Sequence, residues 1–422
     1  MKSNSLNNSF QKKIAKGFKL VFSFEFIFML FLFAGRFKGD SRFEWVPVDI
    51  TLLFLLWSIV IAAYILIKRK FVFERKSLIL LALYLAFSFY ALITLLWSPS
   101  QVYAYEKTLH MFTLVLWALA GPALIIIREK VRLKRFFISV LLMSLWLFIE
   151  SLIFVFAGNA GFINVLGGNY LGVGRTLSLG IIILTSVIFY TGIKFRVKVL
   201  LVILLAAYIY IMLSTGGRGP LLSLFPLVLI FYFASYIKTK KNLKITKKAI
   251  FSIVSMFTLF ITILVLLSTD KVPQSLKRMM LLFGSDDLGA SANTRVYFYK
   301  ESFLLWTKNP LLGNGIGSWP VLIGSGDSRG YAHNIILEII SELGVIGLIL
   351  FLTLIFYSSR KYFFHISRNF YNMTILILFL SMLVNAMVSG DISDNRFLFT
   401  TIALMLYKSP DIADTSINAT NK

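Results

Sequence analysis

The sequence predicts an all-α polytopic membrane protein of about twelve transmembrane helices, with one large outward-facing loop containing short amphipathic helices. Three observations lead there. Hydrophobic residues make up 58% of the 422 and charged residues only 15%, the apolar stretches recur at close to bilayer length, and the basic residues gather in alternate loops. A mean hydropathy of +0.81 leaves more apolar surface than one soluble core of this length can hide, so lipid must cover the remainder. The absence of cysteine excludes disulfides, thiolate metal sites and a cysteine nucleophile.

A helix needs roughly 20 apolar residues to cross about 30 Å of hydrocarbon. Such runs fall near 18–35, 47–67, 78–97, 107–127, 136–157, 176–193, 199–213, 219–237, 249–268, 332–357, 370–388 and 397–408, the seventh and twelfth being the shortest. The first run contains Glu25 and ends in AGRFKGD without a small-residue cleavage pattern, so it reads as a retained helix and not a signal peptide.

Basic loops stay on the cytoplasmic side. The N-terminal tail with Lys12, Lys13, Lys16 and Lys19 is one, followed by KRKFVFERK at 68–76, REKVRLKR at 128–135, KFRVK at 194–198, KTKKNLKITKK at 238–248 and SRKYFFHISR at 359–368. The loops between them, around 98–106, 158–175, 214–218 and 389–396, hold at most one Arg or Lys apiece. Both termini are therefore expected in the cytoplasm of a bacterial inner membrane. The net charge of +24 follows this alternation, which makes anionic membrane lipid the partner of the basic residues and argues against nucleic acid.

The exception to short loops divides the chain into helices 1–9 over 1–268, an outward loop over 269–331, and helices 10–12 with a C-terminal tail over 332–422. Within the loop, QSLKRMMLLF at 274–283 and TRVYFYKESFLLW at 294–306 each place apolar residues on one helical face. Asn293 is the expected N-cap of the second helix and Asn309-Pro310 its end. An amphipathic helix there suits a site that meets a lipid-linked substrate at the membrane surface.

Ionisable residues within spans or on the outward side carry the functional candidates. Arg218, in STGGRGPLLS, projects from a tight turn at a helix start, where a guanidinium and backbone N–H groups together suit a phosphate or diphosphate; a topological anchor is the alternative. Arg295 opens the loop helix, where a cation opposes the helix dipole unless an anion joins it; a surface arginine beside a carboxylate such as Asp286 or Asp287 is the alternative. His333, among only three histidines, is placed as a proton acceptor, or else as a satisfied structural group. Arg175, in GGNYLGVGRTLSLG, is a weaker candidate. Glu342, Glu25 and Glu150 read as buried hydrogen-bonding groups that orient helices. GNGIGSW at 313–319 is not a phosphate-binding loop, since no Lys-Ser or Lys-Thr follows; its glycines are expected to make tight turns returning the chain to the membrane. No metal-ligand spacing is present and no cofactor is implied.

In order, Arg218-Gly219, Asn293-Thr294-Arg295, Trp306, Pro310, the Gly313–Gly317 turn, His333-Asn334 and Gly344-Val-Ile-Gly347 resemble the O-antigen ligase-related superfamily over roughly 165–356. The most specific part is histidine, asparagine, nine residues, then glycine-x-x-glycine, read as a polar pair coupled to a small-residue packing face. The resemblance implies a metal-independent glycan transferase on the periplasmic face, with an undecaprenyl diphosphate-linked glycan as donor. The implied acceptor is a lipid A core sugar for a ligase, or another lipid-linked repeat for a polymerase. It further implies that Arg218 and Arg295 hold the diphosphate, that His333 orients or deprotonates the attacking hydroxyl, and that Arg175 and Asn334 contact substrate. Arg278 and Gly289 have the arginine-to-glycine spacing of polymerase loops. The buried acids would also suit a transporter.

Overall fold

Lipid cannot hydrogen-bond a peptide group, so a chain this apolar must pair its backbone internally. The computed structural model describes residues 17, 19–159, 161–236, 273–284, 289–364 and 369–407, and among these the regular elements are all helical. In chain order they are α1 (Phe24–Phe33), α2 (Ile50–Lys68), α3 (Arg75–Ile93), α4 (Tyr103–Ile126, with two π-helical turns), α5 (Lys130–Phe156), α6 (Tyr170–Tyr190), α7 (Phe195–Ser214), α8 (Arg218–Leu222) and α9 (Phe225–Tyr236). They continue with α10 (Gln274–Gly284), α11 (Ala290–Lys308), α12 (Ser318–Leu322), α13 (Ile335–Phe364), α14 (Phe370–Ala386) and α15 (Arg396–Leu404).

Among the described residues, 7 helices are long and apolar enough to cross a membrane: α2, α3 with its extension to Leu96, α4, α5, α6, α7 and the Ile335–Tyr362 part of α13. Arg218–Ile230 and α14 are shorter apolar helices. The protein is therefore a multi-pass membrane protein. The expected span at 249–268, the basic loop at 238–248, the chain before Gly17 and the tail after Tyr407 lie outside the described residues.

Several boundaries differ from the sequence reading. The run at 18–35 yields a helix of only 10 residues, and the last run one of 9. The run at 199–213 is fuller than expected, because Phe195 to Lys198 continue the helix before it. In the loop, α11 starts a turn earlier than expected, after Gly289 at φ 80. Ala292 N–H and Asn293 N–H both donate to Gly289 O at 2.8 and 3.2 Å, which places Asn293 inside the helix and not at its N-cap. Asn309 does end α11. Apolar side chains of α11 are not confined to one face: Val296, Tyr297, Phe303 and Leu304 are exposed while Leu305 is buried.

Helix α6 is the most enclosed span, with α5, α7 and α14 packed around it. Two ends of the bundle are distinct. At one, basic loops interlock: Arg69 pairs with Glu129, Arg128 Nε lies 3.6 Å from Glu74, and Tyr357 Oη donates to Lys76 O at 3.3 Å. At the other gather the short loops and the 289–334 segment, joined through Ser98 Oγ to Ile316 O at 2.7 Å, Arg329 Nε to Asp391 at 3.2 Å and Tyr299 Oη to Met387 O at 3.3 Å. Asp327 fastens this segment to the start of α4. Its carboxylate accepts from Ser100 Oγ at 2.6 Å and from the N–H groups of Gln101, Val102 and Tyr103 at 2.7, 2.8 and 3.1 Å.

The main departure from regular structure is in α13. Gly344 adopts φ 64, ψ −166 and interrupts the helix, a conformation essentially reserved for glycine. Residues 309–317 insert against the break and pair with the groups it frees. Asn314 N–H donates to Ser341 O at 3.0 Å, Gly315 N–H to Glu342 O at 2.8 Å, and Val345 N–H to Pro310 O at 2.9 Å. Tyr90 Oη reaches Leu343 O at 3.1 Å. Gly344 is thus a helix break and not part of a small-residue packing face, and the glycine-rich turn is the element that heals it.

A Cβ at Gly344 would collide with the carbonyl group of Leu311, so Gly344→Ala combines that clash with a strained backbone that alone costs of order 1–3 kcal/mol. Thermal unfolding in detergent should show a clear loss of stability for Gly344→Ala and none for Gly192→Ala, whose added Cβ meets nothing within 4 Å. Equal melting temperatures would contradict the inserted-loop arrangement.

Candidate functional site

The loop that heals the break also carries a packing chain to His333. After Gly317, α12 buries Trp319, whose Nε1–H donates to Ser302 Oγ at 2.8 Å. Trp319 meets the ring of Phe298 edge-on at 4.8 Å, and Phe298 stacks on the His333 imidazole at 5.9 Å and 6°. Tyr331 closes on the imidazole at 4.6 Å. His333 itself adopts φ 56, a left-handed conformation that costs a non-glycine residue about 1 kcal/mol or more. The strain reorients the chain at the entrance to α13. Asn334 then caps that helix: its Oδ1 accepts from Ile336 N–H at 3.0 Å and Leu337 N–H at 3.2 Å. The cap accounts for the oxygen of Asn334 and leaves its amide nitrogen for a ligand.

Four arginines from different elements lie at this end of the bundle. Arg175 lies in the first turns of α6, Arg218 opens α8, Arg278 lies on α10 and Arg295 on α11. Arg218 Nη1 donates to Arg278 O at 3.2 Å, and Arg278 Nη1 donates to Gly216 O at 2.8 Å. The Arg278 guanidinium sits over the rings of Phe162 and Tyr170 at 5.1 and 5.8 Å. Arg218 feels the charges of Arg278 and Arg295, and His333 those of Arg295 and Arg175. The structure therefore brings Arg175, Arg218, Arg295, His333 and Asn334 to one end of the bundle, with Arg278 added. Among the described residues, no ion pair engages Arg175, Arg278 or Arg295.

Desolvation, followed by the charges of Arg295 and Arg175, pushes the His333 pKa down to about 4. The imidazole is neutral at pH 7 and can accept a proton, and its Nδ1 is buried without a hydrogen-bond partner. An anion held by the same arginines would oppose their field and make the imidazole more basic.

Beneath the site lies a second charged group that sequence reasoning missed in part. Lys107, fully buried in α4, reaches Glu338 at 2.5 Å and Glu342 at 2.7 Å, both also fully buried. Glu342 accepts from Gly317 N–H at 2.9 Å, and Glu338 from Ile392 N–H at 3.2 Å. Glu342 thus has the buried hydrogen-bonding role expected of it, as does Glu25 through Arg132 Nη1 at 3.0 Å, whereas Glu150 pairs with Arg42 near the surface at 2.9 Å. Lys107 had a legible signal: it is an isolated cation at the start of an apolar span, which requires a counter-charge. Tyr299, Tyr331 and Asp391 had none, because their roles arise only from contacts distant in sequence. Among the described residues, no group of three or more His, Asp or Glu side chains is arranged to hold a metal ion.

Arginines and a neutral histidine thus gather at one end of a multi-pass helical bundle. The family model described as O-Antigen ligase matches residues 200–352. The resemblance drawn from the motifs is borne out over this stretch, which includes Arg218, Arg278, Arg295, His333 and Asn334; Arg175 lies before it. Over these residues the chain is similar to O-antigen ligases. A search of curated proteins finds no match.

The lowered His333 pKa fixes the sign of one pH effect. Unfolded chains protonate histidine near pH 6.5 and the folded protein only near 4, so the unfolded state binds more protons between these values. Stability linked to His333 is complete above about 6.5 and falls as pH drops towards about 4. NMR of histidine-labelled protein, assigned with His333→Gln, should find this imidazole neutral at pH 5.5, with the variant lacking this part of the acid-induced loss of stability. An imidazole titrating near 6.5 would contradict the proposed surroundings.

Proposed function

We propose that the protein transfers a polysaccharide from undecaprenyl diphosphate to a sugar hydroxyl of lipid A core, on the periplasmic face of the inner membrane. The observation that carries this reading is that Arg295 acts on both Arg218 and a neutral His333, within the region matched by the ligase family. The acceptor oxygen attacks the anomeric carbon, and the bond from that carbon to the diphosphate oxygen breaks. The electron pair leaves with undecaprenyl diphosphate, while the hydroxyl proton passes to His333. Arg218 and Arg295 stabilise the charge that grows on the leaving diphosphate, the guanidinium fork matching its oxygens. As donor binding offsets the arginine charges, it raises the basicity of His333 when a proton must be accepted. Arg175 and the amide nitrogen of Asn334 complete the substrate contacts.

A polymerase reading, in which another lipid-linked repeat is the acceptor, is favoured by one observation. Arg278, which shares its spacing to Gly289 with polymerase loops, lies beside Arg218 and not apart from it.

Purified protein incubated with an undecaprenyl diphosphate-linked glycan, with and without lipid A core, tests both readings. High-mass product that requires the core supports ligation, whereas a ladder from donor alone supports polymerisation. Arg218→Lys and Arg295→Lys should each slow turnover by about a hundredfold, because lysine keeps the charge and loses the fork. His333→Ala should insert and fold normally yet make little product. Full activity in all three variants would remove these residues from the reaction.

A further inference from the structure

The arginine field continues past His333. Arg36, in the turn that follows α1, and Arg396, at the start of α15, are both partly buried. An added Cβ at Gly172 would stand 2.5 Å from Arg36 Nη1 and 2.9 Å from its Cδ and Cζ, so the absent side chain at this position of α6 is what admits the guanidinium. An added Cβ at Gly35 would meet Arg396 Nη2 at 3.9 Å. Arg396 is seated over the Phe31 ring at 5.4 Å and donates to Phe31 O at 3.3 Å. Arg175 feels the charge of Arg36, and Arg36 that of Arg396.

Asp394 is the carboxylate that acts on all three of Arg36, Arg175 and Arg396, and it is already paired with Arg329. Among the described residues, none of Arg36, Arg175 and Arg396 forms an ion pair. Partly desolvated cations in excess of their counter-charges are costly unless an anion joins them.

The order of these groups gives the excess a meaning. His333 feels one arginine from each of two sets, taken here as its two flanks: Arg295, which also acts on Arg218 beside Arg278, and Arg175, which feels Arg36 beside Arg396 and, more weakly, Arg295. If the diphosphate occupies the first flank, as the proposed function holds, the second is where the other reactant enters. We infer that Arg36, Arg175 and Arg396 form a second anion subsite, which receives a phosphate- or carboxylate-bearing sugar of the acceptor glycan. The subsite selects an anionic acceptor and turns its hydroxyl towards His333. Asp394 weakens this binding by competing for the same guanidinium groups.

The test uses full-length protein in detergent and glucose 6-phosphate as probe, with methyl glucoside as the neutral control and inorganic pyrophosphate reporting on the Arg218 flank. Arg36→Gln and Arg396→Gln should each weaken glucose 6-phosphate binding at least tenfold while leaving pyrophosphate affinity within about twofold. Asp394→Asn should change binding in the opposite direction and tighten it, so the subsite remains testable if either glutamine variant fails to fold. In transfer assays, Arg36→Gln should raise KM for a phosphorylated core acceptor and leave KM for the donor unchanged. Equal binding of glucose 6-phosphate and methyl glucoside would overturn the subsite, as would weaker or unchanged binding in Asp394→Asn. A rise in donor KM alone would overturn the assignment to the acceptor. Retained pyrophosphate binding in Arg218→Lys, with the phosphosugar results as predicted, would instead count against the donor site and leave the subsite standing.

Discussion

The constraint on which the site depends is the exchange of backbone hydrogen bonds between residues 309–317 and the break at Gly344. An interrupted helix at membrane depth is tolerated only where protein replaces the lost pairing. Here the inserted loop supplies N–H groups to Ser341 O and Glu342 O and accepts from Val345 N–H, while Lys107 bridges the two acidic side chains that the surrounding helix turns bring together. Removing one member of such a buried charge group leaves the others uncompensated, which commonly costs 3–5 kcal/mol. The arrangement is therefore rigid, and rigidity is what a strained His333 at the mouth of α13 requires. Through Trp319 and Phe298, the same loop that repairs the break also packs against the imidazole.

Above this scaffold arginines from α6, α8, α10 and α11 gather, and among the described residues the carboxylates at this end are engaged elsewhere, Asp391 and Asp394 with Arg329 and Asp327 with the start of α4; Asp286 and Asp287 lie outside the described residues. The field that this creates suits a diphosphate ester under the proposed function, and it adds to the desolvation that keeps the imidazole neutral. Substrate charge and histidine basicity are thus coupled. Under the proposed function the base is weakest without donor and strengthens when the diphosphate offsets the arginines, so binding and proton acceptance rise together.

Much of the bundle was legible because hydropathy and basic-loop alternation are direct consequences of the bilayer. The expected spans match α2 to α7 to within six residues at each bound, and Arg218, Arg295 and His333 stand out as ionisable groups on the less basic side. Other features were not legible for identifiable reasons. Gly344 lies in an unbroken apolar run, and only its backbone angles distinguish a break from a packing glycine. Asn293 looked like a cap because the preceding Ala-Ser-Ala carries no strong signal, yet Gly289 starts the helix earlier. Lys107 was hidden within an otherwise apolar span, although its charge required the partners it has in Glu338 and Glu342. The grouping of Arg36 and Arg396 with Arg175 joins positions from opposite ends of the chain, a proximity that no local pattern encodes.

In the proposed function the donor diphosphate lies between Arg218 and Arg295 with its sugar against His333. The most direct measurement is photo-crosslinking of the purified protein with an undecaprenyl diphosphate-linked sugar that bears a diazirine on the sugar, followed by peptide mapping. Labels should fall in 216–220, 293–299 and 331–335, and excess inorganic pyrophosphate should suppress them. Labelling confined to the basic end, in 68–76 or 128–135, or labelling that pyrophosphate leaves unchanged, would contradict the account.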